Sequence, residues 1–88
     1  METRSNFDRF IAVYTAQLQH EFDTNPEYAL VSRQTSAHDL AVRMTEGLMK
    51  GSASKDGRAI KSTCNALGIK YTYKEIANYL KGGSSNGN

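Results

Sequence analysis

Several residue types are nearly missing from this 88-residue chain. It holds one cysteine, one proline and no tryptophan, and only 9% of its residues are aromatic. A lone cysteine, Cys64, excludes an intrachain disulfide and any zinc site built from several cysteines. The longest unbroken apolar run is Phe10–Tyr14, whereas a bilayer span needs about 20 such residues. The opening Met1-Glu2-Thr3-Arg4-Ser5 has no apolar stretch of the signal-peptide kind, so the expected location is the cytoplasm. The length excludes a TIM barrel, a full Rossmann domain or a kinase. What is present is ordinary for a folded chain, with 39% apolar and 23% charged residues and a net charge of only +2.

That small net charge conceals an uneven distribution. Up to Met49, four arginines face seven carboxylates, a net of −3; from Lys50 onward, seven cations face two carboxylates, a net of +5. The back half has the charge of an anion-binding surface, although solvated lysines that keep a small domain soluble would look the same.

Apolar spacing is helical throughout. Phe7, Phe10, Ile11, Tyr14, Leu18 and Phe22 fall on one helical face, with Ser5 or Asn6 as N-cap. Asp23-Thr24-Asn25-Pro26 ends that helix, and Asn25-Pro26 suits the start of a short one near 26–32. Ser36 with Asp39 approximates a capping box for a third helix carrying Ala37, Leu40, Ala41, Met44 and Leu48. Gly47 interrupts it and would let a neighbouring helix come close, and Lys50-Gly51 marks its end. Asp56 is positioned to cap a fourth helix from about Gly57 to Leu67, with Ile60, Cys64 and Leu67 inward. Gly68 and Ile69 then fit the C′ and C″ positions of a Schellman motif. Thr72-Tyr73-Lys74-Glu75 reads as a capping box, with Tyr71 and Ile76 as a hydrophobic staple and Ile76, Tyr79 and Leu80 as the apolar face. No segment sustains period-2 alternation. The expectation is an all-α domain over residues 1–81, a bundle of four or five helices ending in a helix-turn-helix-like hairpin, with residues 82–88 a disordered tail.

In a helix-turn-helix reading the last helix enters a major groove. Tyr73, Lys74, Ala77 and Asn78 would face the bases, and Lys55, Arg58, Lys61, Lys70 and Lys81 would hold phosphates. The plain alternative is a helical hairpin whose lysines are merely solvated. Tyr71, Tyr73 and Tyr79 interleaved with lysines would also suit stacking on unpaired bases, or a protein partner. The staple occupies Tyr71 and Tyr79 packs inward, which leaves Tyr73 free. Catalytic signals are poor. His20-Glu21-Phe22-Asp23 and His38-Asp39 lack the spacing of a helical metal site, and His20 with Asp23 fits a surface hydrogen bond. Cys64 sits on an apolar face, as a packing residue does. Gly51–Gly57 has the composition of a phosphate loop without its order. No enzyme activity, cofactor, metal or small-molecule substrate is expected.

The stretch KDGRAIKSTCNALGIKYTYKEIANYL, Lys55 to Leu80, resembles the C-terminal half of small accessory proteins of phages and prophages, and NFDRFIAVYTAQL, Asn6 to Leu18, is similar to their N-terminal helix. The resemblance implies an origin in a mobile element and an accessory role. Proteins of that kind often bind and inhibit a host complex, such as transcription machinery or a CRISPR effector, without catalysis. It carries no functional residue across. Two partners are therefore expected as alternatives: nucleic acid held by the basic hairpin, or a host protein complex.

Overall fold

A computed structural model describes residues 5–82. Among them there is no strand, and the chain order is α1 (Asn6–Thr24), a 3-10 turn (Pro26–Tyr28), α2 (Ala29–Gln34), α3 (Ala37–Lys50), α4 (Arg58–Leu67) and α5 (Tyr73–Leu80). The helix count is thus five. The expected tail lies, from residue 83 on, outside the described residues. No described helix is long and apolar enough to cross a membrane.

Local chemistry sets most of the boundaries. The hydroxyls of Ser5, Ser36 and Thr72 accept from the N–H groups of Asp8, Asp39 and Glu75 at 3.1, 3.1 and 3.2 Å, each satisfying an otherwise orphaned donor. The Thr72 box is only half made, because its own N–H donates to the Lys70 carbonyl rather than to Glu75. Asn25 caps the 3-10 turn through Oδ1, and Pro26 follows at its first position. The Schellman motif forms as expected. Gly68 has φ +71°, and the Ile69 N–H reaches the Cys64 carbonyl at 2.9 Å. Gly51 repeats it after α3, with the Ser52 N–H on the Gly47 carbonyl at 2.7 Å.

Helix α1 is the hub. It packs against α3, α4 and α5, and α5 also lies on α3. Although the Gly68–Thr72 turn joins α4 to α5, neither is the other's main packing neighbour. Phe10 is fully buried at the centre, its ring edge-on to Tyr14 with centroids 5.7 Å apart and tilted against Tyr79 at 6.5 Å. Around it close Ile11, Leu18, Leu48, Ile60, Ile76 and Leu80. The remaining core positions are small: Ala37, Ala41, Ala59 and Cys64, together with Thr45 and Thr63. Small side chains at these positions let the helices approach closely. No residue of α2 is fully buried.

Two expectations about neighbours are corrected. Gly47 makes room for the loop that follows α3 and not for another helix: a Cβ there would lie 2.6 Å from the Ala53 Cβ. His20 does not bond Asp23, whose Oδ1 accepts from Gln19 Nε2 at 3.0 Å, one turn earlier on the same face.

Candidate nucleic-acid interface

Helix α4 opens without a side-chain cap. Asp56, expected to cap it, does not; the N-cap is Gly57 at φ +123°, and no side chain accepts from the first turn. The chain bends one residue later than Asp56, whose own N–H is taken by Ser54 Oγ at 3.0 Å. No acidic residue follows in the first turn, and Arg58 and Lys61 stand there instead, exposed. Cations at a helix N-terminus oppose the macrodipole, so α4 begins with the wrong sign of charge and with no side chain on its first N–H donors.

The other basic residues are equally unneutralised. Among the described residues the one charged pair in contact is His38–Asp39 at 3.8 Å, so no lysine or arginine meets a carboxylate. Lys70 is exposed in the turn, Lys74 and Asn78 are exposed one turn apart on α5, and Lys81 is exposed at its end.

Lys55 departs from this group. It is half-buried, with its ammonium 4.0 Å from the ring centroid of Tyr71 and 5.3 Å from that of Tyr73. Its carbonyl accepts from the Tyr71 hydroxyl at 2.6 Å, and its N–H donates to the Tyr73 hydroxyl at 3.4 Å. Lys55 therefore fastens the 51–57 loop to the start of α5, and its head is engaged with two rings. Tyr73, expected to be wholly free, shares in that fastening through its hydroxyl while remaining 49% exposed.

Beside Tyr73 lies an open cleft of about 470 Å³ between the end of α3 and the start of α5. Leu48, Met49, Ala53 and Ala77 give it apolar walls, and Lys50 and Lys74 are its only charged lining residues. The sequence pattern assigned Lys50 to the α3 dipole alone. Its place in the cleft depends on α5 packing against α3, which no local signal reports.

No cluster of three or more His, Cys, Asp or Glu residues occurs among the described residues. Cys64 is buried, and burial raises its thiol pKa against a smaller lowering by Lys55. Glu21 is the unforeseen buried charge, 4% exposed, with its Oε1 accepting from Asn25 Nδ2 at 3.0 Å across the α1 terminus. Burial, and then the nearby Glu21 and Glu27 carboxylates, raises the pKa of Tyr28 against an opposing Arg58.

No protein-family model matches the chain, and no curated protein or solved structure is significantly similar to it.

Proposed function

We propose that this protein is a small, non-catalytic binding module that holds nucleic acid through the basic surface of α4, the turn after it and α5, and acts as a regulator. The observation that carries the reading is electrostatic: among the described residues no cation from Lys50 to Lys81 meets a carboxylate, and two of them stand at the start of α4, which has no side-chain cap. A local arrangement that costs stability when empty is relieved by a bound anion, because phosphate oxygens accept from helix N-terminal N–H groups and pair with cations. Arg58, Lys61, Lys70, Lys74 and Lys81 are the phosphate contacts, with Asn78 beside Lys74 as a polar reader. Lys55 acts indirectly, by holding the loop in place.

In the helix-turn-helix-like form of this reading α5 would lie in a groove. At eight residues it spans only about 12 Å, so backbone contacts carry most of the affinity. The rival reading, a phage-type inhibitor seated on a host protein complex, draws support from Leu30, 67% exposed on a helix with no fully buried residue.

A gel-shift titration at two salt concentrations tests the proposal. Binding that weakens steeply with salt is expected. No shift with tens of micromolar protein near physiological salt would remove nucleic acid as direct partner, since non-specific binders typically reach about 10⁻⁴–10⁻⁶ M there.

A further inference from the structure

We infer that the cleft between α3 and α5 takes a single unstacked nucleobase, so that the nucleic acid held here is single-stranded; this rests on the nucleic-acid reading above and narrows it. The cleft, about 470 Å³, falls within the range of small-ligand sites, roughly 300–1,000 Å³. Leu48, Met49, Ala53, Ala77 and Tyr73 line it, and Lys50 and Lys74 are its only charged lining residues among those described; the Lys55 ammonium lies 5.3 Å from the centroid of the Tyr73 ring, so a base would stack on the ring's other face. Among the described residues neither lysine pairs with a carboxylate. The complementary occupant has a flat apolar body with negative charge next to it, which describes one nucleotide of a strand, a base with its flanking phosphates.

A base inside a duplex offers no free face, whereas a base in a single strand stacks readily on an aromatic side chain within a positively charged groove. Tyr73 is prepared for that role. The Thr72 cap fixes the first turn of α5, and the contact of its hydroxyl with the Lys55 N–H restrains the ring. The opposite wall is held by the turn at Gly51 and by the close approach of Ala53 to Gly47. Stacking therefore requires little reorganisation.

Fluorescence anisotropy with a labelled short oligothymidylate and a duplex of equal length tests this. The native protein is expected to hold the single strand more tightly. Tyr73→Ala should weaken single-strand binding by about 5- to 150-fold, the usual worth of one base–aromatic stack, with little change for duplex. Tyr73→Phe keeps the stacking face but gives up the hydroxyl's contact with the Lys55 N–H, so it should retain most of the single-strand affinity that Tyr73→Ala loses. Ala77→Glu, which brings a carboxylate into the cleft without touching the Lys55 contacts, should remove the preference even if Tyr73→Ala fails to fold. Equal affinity for strand and duplex, or a preference unchanged by Ala77→Glu, overturns the inference and leaves the basic-surface reading standing. Binding of neither probe overturns both.

Discussion

Thr45 and Thr63 are both fully buried, yet their hydroxyls fare differently. The Thr63 hydroxyl donates to the Ala59 carbonyl at 2.8 Å, whereas Thr45 Oγ1 has no partner. A buried polar group without a hydrogen bond costs about 1–3 kcal/mol. Thr45→Val keeps the shape and removes that cost, so it should raise stability by about 1 kcal/mol, or roughly 4–8 °C in Tm. Thr63→Val, which loses a made bond, should lower it by about 1 kcal/mol; paired thermal melts check both. Tyr14 offers a second single-residue test. Burial, reinforced by Tyr28 and Tyr71, pushes its phenol up to about 12 from 10.0. The folded state thus keeps a proton that the unfolded chain gives up. Stability from this group is complete below pH 10 and falls as pH rises toward 12, at about 1.4 kcal/mol per pH unit. Tyr14→Phe should flatten that alkaline decline in denaturant titrations compared across pH; an unchanged slope would mean that the phenol is not held neutral. Neither threonine is visible as core in the sequence, because burial by position overrides polarity and the apolar pattern counts only polarity. Glu21 escaped notice for the same reason.

Among the helices, what is local was legible and what is distant was not. Three N-caps join residues three apart, and the Ile69–Cys64 bond of the Schellman motif after α4 spans five, so Ser5, Ser36, Thr72 and Gly68 could be read directly. The Lys55 fastening joins residues 16 and 18 apart, and the cleft needs α3 and α5 side by side, so neither has a sequence signature. Asp56 failed as a cap because loop geometry, with Gly57 at positive φ, decided where α4 starts. The Gly47–Ala53 approach gives the test at this scale. Alanine at an exposed helix-interior glycine normally gains about 1 kcal/mol. Here the added methyl meets Ala53 at 2.6 Å, and that atom belongs to a short side chain with nowhere to swing. Gly47→Ala should therefore destabilise, and Ala53→Gly in the same chain should restore the loss. Simple stabilisation by Gly47→Ala alone would show that the loop yields easily and holds no cleft wall.

At the scale of the whole molecule the division of charge seen along the chain becomes a division of labour. Residues before Lys50 supply the hub helix and most of the large core side chains, residues from Lys50 on supply seven of the eleven lysines and arginines, and both halves line the cleft. The sequence showed where the basic residues lie in the chain but not which are free, since pairing depends on distances in the fold. The central claim is that these cations meet phosphates, and the most direct measurement is the slope of log K against log salt for duplex DNA. Each phosphate contact contributes about −0.9 to that slope. Lys70→Glu combined with Lys74→Glu, both exposed positions, should weaken binding alike on unrelated sequences and flatten the slope by about 1.8. A native slope near zero, or a slope that the double reversal leaves unchanged, would contradict the account.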